Sequence, residues 1–153
     1  MDTALTVLSL WLHGLATAMM LGFYLLLESI FLPYLEGQAG RDGVGGALHK
    51  IYGRFMPFVA VAFIIFVVTG IYLMLKDPHY PGFGNIFANA WAISMAVKHV
   101  VVIVMLGLGG WLYTALRRGN GQAGQVKSVK VALGAMNVCG VTVLLLTAIA
   151  QSL

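Results

Sequence analysis

Apolar positions in this chain run in four long blocks, with polar residues gathered between them. The blocks cover about residues 4–34, 51–75, 87–116 and 129–149. Each exceeds the about 20 residues that a helix needs to cross a hydrocarbon core of ~30 Å. A segment in lipid must satisfy its own backbone N–H and C=O groups, so the pattern predicts helices despite many β-branched residues. The first and third blocks are long enough to tilt or to project past the membrane. Their connectors are short: Gly37 to Gly46 reads as a Gly-rich loop, Lys76 to Asn85 is punctuated by Pro78 and Pro81, and Gly119 to Gly124 is Gly-rich again. Short connectors make successive helices antiparallel. The expectation is one all-α integral membrane domain over residues 1–153, an up-down-up-down bundle of four transmembrane helices with no clear internal repeat.

Composition narrows the class further. Hydrophobic residues make up 60% of the chain and charged residues 9%, against ~25% charged in soluble domains. That excludes a soluble globular fold and disorder alike. A single Cys excludes a disulfide framework and Cys-rich zinc or iron–sulfur sites, and no Cys-x-x-Cys-His is present for covalent haem. Cys139 itself reads as a small buried hydrophobe.

The net charge of +4 speaks for topology rather than for a nucleic-acid partner. Arg41, Lys50 and Arg54 flank the first connector, and Arg117, Arg118, Lys127 and Lys130 flank the third, whereas the middle connector has Lys76 alone. The positive-inside rule then puts both basic loops in the cytoplasm and both termini outside, in the cytoplasmic (inner) membrane of the cell. The N-terminus carries Asp2 and no basic n-region, so no cleaved signal peptide is expected.

Ionisable groups within the apolar blocks are functional candidates by default, because the bilayer makes them expensive. His13 and His99 lie about ten residues into the first and third helices, both entered from the same face. At 1.5 Å per residue both sit roughly 15 Å deep. Helices one and three of an up-down bundle are diagonal, so the two imidazoles can face each other and fill both axial positions of a haem iron. A pair of hydrogen-bonded core histidines would show the same spacing. Lys98 adjoins His99 and is placed to snorkel, to pair with a haem propionate or to act as a ligand. Glu28 and Arg54 sit near the cytoplasmic ends of adjacent helices, at depths that predict a structural ion pair; a proton relay or quinone-site acid is the sharper role for Glu28. His49 and His79 fall at opposite membrane edges. Met19 and Met20 near His13, and Met95 near His99, keep a His/Met copper site open, since thioethers and imidazoles suit Cu(I).

Short motifs add a resemblance. Leu12-His13-Gly14-Leu15 with Met20-Leu21-Gly22, then Val68-Thr69-Gly70-Ile71, then Val97-Lys98-His99-Val100, resemble successive helices of the copper-resistance CopD family. The layout, with His on the first helix and Lys on the third, is also similar to the HemJ family of haem-binding protoporphyrinogen oxidases. The chain departs from both: Met20 stands where CopD proteins commonly have Trp, and Leu27-Glu28-Ser29 occupies the region of the HemJ Tyr-Met-Pro-Arg feature. The resemblance implies a four-helix membrane protein that handles metal or haem, and His99 tilts it towards haem b. The expected function is that of a membrane b-type cytochrome with one haem b per chain, an electron-transfer subunit more than a stand-alone enzyme. Its expected partners are the lipid bilayer, other subunits of a redox complex or an outer-face electron carrier, and quinone. Copper transport and protoporphyrinogen oxidation are the alternatives.

Overall fold

The computed structural model describes residues 2–38, 40–85, 87–118 and 123–152. The described residues form helices and turns without a strand: α1 (Asp2–Leu26), a π-helical turn (Leu27–Phe31), α2 (Leu32–Gln38), α3 (Gly40–Lys76), α4 (Ala90–Arg118) and α5 (Ala123–Ser152). Four stretches are long and apolar enough to cross a membrane: Thr3–Gln38, Gly43–Lys76, Ala90–Arg118 and Val126–Ser152. The outward faces are apolar, with Trp11, Phe58, Ile64, Ile103 and Val138 all exposed, as a lipid-facing surface requires.

Boundaries differ from the sequence expectation: α4 starts at Ala90 rather than about 87, α5 starts at Ala123 rather than about 129, and two further differences have a clear physical cause. The Gly-rich segment expected as a loop is helical from Gly40 onward. Val44, Leu48 and Tyr52, spaced four apart on one face, are almost wholly buried. Their packing outweighs the about 1 kcal/mol that each helical glycine costs. The first span also continues to Gln38, through Pro33. Proline cannot donate to the helical ladder and its ring presses on the carbonyl four residues back. The ladder widens into the π-turn just before it, and the Leu32 N–H bonds the Leu27 carbonyl. Arg41 is helical, and its side chain lies outside the described residues, as does the segment 119–122.

Helix α1 packs along α3, and α4 along α5; α1 with α5 and α3 with α4 and α5 join the pairs, and α1 and α4 share at most marginal contact. Cross-helix contacts pair Thr6 with Tyr72, His13 with Thr69 and Tyr24 with Tyr52. The main core gathers α2 with the beginnings of α3 and α5 and the end of α4, around Leu32, Leu48, Leu112 and Leu133. At the opposite end only Trp91, Ala92 and Ala150 are buried together, with Met74, Tyr80 and Met95 against them. The connector there turns at Gly82, whose φ of +93° favours glycine. Asn89 then caps α4, its Oδ1 accepting the Ala92 N–H at 2.7 Å. The bundle is therefore tight at one end and open at the other.

Candidate functional site

The loosely packed end holds a cavity of about 340 Å³ lined from four helices, by His13 of α1, Phe66, Gly70, Met74 and Asp77 of and just beyond α3, Trp91, Met95, Lys98 and His99 of α4, and Thr147 and Gln151 of α5. His13, His99 and Lys98, singled out in the sequence, thus line one space. Its volume is within the ~300–1,000 Å³ of small-molecule sites.

His13 is fixed from three sides. Its ring stacks on Phe66 at 4.4 Å between centroids. Its Nδ1 lies 3.0 Å from Thr69 Oγ1 and 3.1 Å from the Phe66 carbonyl. Gly70 leaves the room: a Cβ there would stand 3.0 Å from His13 Cε1. The hydroxyl of Thr69 donates to the Ile65 carbonyl at 2.6 Å, so it accepts from the imidazole. A carbonyl also only accepts. Nδ1 must therefore carry the proton, and the neutral ring presents its lone pair at Nε2.

His99 reaches the same state locally, its Nδ1 donating to the Met95 carbonyl one turn back at 2.6 Å. It stands on the rim and is largely exposed. Neither Nε2 has a protein partner among the described residues. Donating the second ring nitrogen to a carbonyl is the arrangement that orients a metal-ligating histidine. Lys98 forms no ion pair among the described residues, where the pairs are His79–Asp77 and Lys130–Glu36. Two buried polar atoms at this end, Tyr80 Oη and Ser94 Oγ, have no partner there either.

The expected Glu28–Arg54 ion pair is not formed. Glu28 lies in the π-turn and accepts a hydrogen bond from the Asn137 amide of α5, which also reaches the Tyr24 carbonyl at 3.4 Å. Gly134 makes space for that carboxyl, since a Cβ there would be 3.1 Å from Glu28 Oε1. Arg54 is exposed. Shared depth let the two meet, but the π-turn points Glu28 to α5, not to α3. His49 is exposed. His79 is exposed and tied to Asp77, whose Oδ1 takes its N–H at 2.9 Å and faces its Nδ1 at 3.1 Å.

Several site residues went unread in the sequence. Phe66 and Met74 look like any apolar residue of α3. Thr69-Gly70 carried a signal, a hydroxyl beside a missing side chain in an apolar run. Met19 and Met20 do not join the histidines; Met74 and Met95 do. No group of three or more His, Cys, Asp or Glu side chains able to hold a metal occurs among the described residues. In comparisons with protein families, curated proteins and solved structures, the chain has no match.

Nitrogen NMR on histidine-labelled protein should show Nδ1–H with an unprotonated Nε2 for both His13 and His99. An Nε2–H signal from either ring would contradict the hydrogen-bond assignment. Replacing Asn137 with Leu should strand the Glu28 carboxyl and lower stability by about 1–3 kcal/mol. Arg54→Ala should change it by no more than about 0.5 kcal/mol, as for an ordinary surface substitution. Thermal unfolding in one detergent compares the two, and an Arg54 effect as large as that of Asn137 would restore the ion pair.

Proposed function

We propose that this chain is a membrane b-type cytochrome that holds one haem b between His13 and His99 and passes single electrons as a subunit of a larger redox complex. One observation carries the reading: imidazoles from the diagonal helices α1 and α4 line one cavity, each with Nδ1 given to a carbonyl and Nε2 left to bind. The residues suit the group. A porphyrin would supply most of the iron's donors itself, so His13 and His99 would be enough to hold it where no larger ligand cluster occurs among the described residues. Lys98 offers a cation for propionates, and the surrounding apolar helices keep water out. Bound haem supplies the one-electron couple. The chain's own part is to fix the ring orientations through Thr69, Phe66 and Met95 and to hold the site in a dry medium.

The up-down arrangement is supported by the cross-helix pairs 6–72, 13–69 and 24–52, whose numbers rise on one helix as they fall on the other. The basic flanks argue for termini outside, in the cytoplasmic membrane. That puts the histidine cavity towards the outer face, near an outer-face carrier, with quinol a second exchange partner. A second reading, CopD-like copper handling, is favoured by Met74 and Met95, which share the cavity with both histidines.

The purified protein should show a low-spin haem spectrum with sharp α and β bands on reduction. His13→Ala and His99→Ala should each abolish it. Wild-type spectra in both variants would sink the proposal, and a colourless wild type that co-purifies with copper would favour the second reading. For orientation, cysteines at Gln38 and Phe83 in a Cys139→Ala background should react oppositely with an impermeant thiol reagent on intact cells. Labelling at Phe83 alone is expected; labelling at Gln38 alone would invert the topology.

A further inference from the structure

The two histidines of the cavity are held in unlike ways. His13 is gripped by a neighbouring helix. Phe66, Thr69 and Gly70 of α3 give its ring a stacking face, two acceptors for one N–H and the room to sit. Helices α1 and α3 are one of the two closely packed pairs, so this grip joins elements that stay together. His99 has a single bond, to the Met95 carbonyl of its own helix, and is exposed on the rim. No second helix bonds its ring among the described residues. It rides on α4, which packs along α5, meets α3 less extensively and shares at most marginal contact with α1. The cavity therefore lies in the seam between two helix pairs, at the loosely packed end. One imidazole is anchored on its side of the seam, and the other is free to turn on its own side chain.

We propose that His13 is the permanent ligand of this site and His99 the exchangeable one, so that the His99 side of the site takes up a small neutral molecule, a diatomic gas. The inference rests on the haem reading and adds to it a face for an outside ligand. Acceptors that hold the second ring N–H orient a ligating histidine and strengthen it as a donor. His13 has two such acceptors on another helix, and His99 has one a turn away. Steric access decides whether a haem pocket admits small ligands, and access is widest at the rim, where His99 stands. A neutral diatomic carries no charge to desolvate, so the bilayer is no barrier to it. The exchange needs no oxidant or reductant. The electron pair of His99 Nε2 is withdrawn, one pair from the incoming molecule replaces it, and no proton moves.

The test uses the full chain, loaded with haem, in lipid nanodiscs. His99→Gly should keep its haem but become five-coordinate and high-spin, and added imidazole should restore the low-spin bands. His13→Gly should lose haem, with no rescue by imidazole. Because that variant can also fail by misfolding, Gly70→Ala is tested beside it with both histidines intact. Its Cβ would stand 3.0 Å from His13 Cε1. Displacing the anchored ring should speed haem loss to apomyoglobin roughly tenfold, as for other disturbed supports of a ligating histidine. Carbon monoxide should bind the reduced wild type, and should bind reduced His99→Gly faster, since no ligand must leave first. Haem kept by His13→Gly but lost from His99→Gly, no imidazole rescue of His99→Gly, or low-spin wild-type bands that carbon monoxide does not displace would each overturn the assignment while leaving the haem reading in place. A wild type without haem bands overturns both, and is seen before any variant is compared.

Discussion

Hydrocarbon offers no hydrogen bonds, and this constraint shapes the polar side chains of the bundle, with Ser94 Oγ left as an exception. Most solve it by turning to a main-chain carbonyl. Thr17 donates to the His13 carbonyl at 2.8 Å, Ser29 to Leu25 at 2.6 Å and Tyr52 to Gly109 at 3.0 Å. The two cavity histidines obey the same rule. Satisfying one ring nitrogen on the backbone leaves the other ready for a ligand, so the demand of the solvent and the demand of coordination chemistry are met by one bond. Tyr24 completes the pattern by bonding the Tyr52 hydroxyl at 3.4 Å rather than a carbonyl.

The distribution of packing follows from where the large side chains fall. Leu27, Leu32, Leu48, Leu112 and Leu133 interlock at one end and leave little space. Towards the other end, small or flexible residues meet instead. Along the bundle, glycine gives way to a neighbour at four places: Gly70 to His13, Gly109 to Tyr24, Gly134 to Glu28, and Gly140 to Leu21. Each lets a side chain of the first span press against the backbone of another helix. The first span is thus the element that carries polar chemistry into the bundle, and α3, α4 and α5 each leave room to receive it.

Much of this was legible in advance. Four apolar blocks announce four helices because their length against the bilayer needs no tertiary information. That His13 and His99 line one cavity agrees with their shared depth, which follows from residue count along a straight helix. Azimuth is harder, and there the sequence misled. Glu28 and Arg54 share a depth, yet the π-turn rotates Glu28 towards Asn137, and nothing local to Glu28 announces that turn except Pro33, which lies outside it. Glycines at 40, 43, 45 and 46 read as a loop because propensity is local, whereas the burial of Val44 and Leu48 depends on residues far along the chain.

Phe66 has a double position whose consequence is mechanical. It stacks on the His13 imidazole, and it also borders a second space of about 220 Å³ nearer the middle of the bundle, beside Met56 and Gly109. One side chain therefore serves two neighbourhoods, and a smaller residue at this position would take the stacking surface from His13 and enlarge both spaces together.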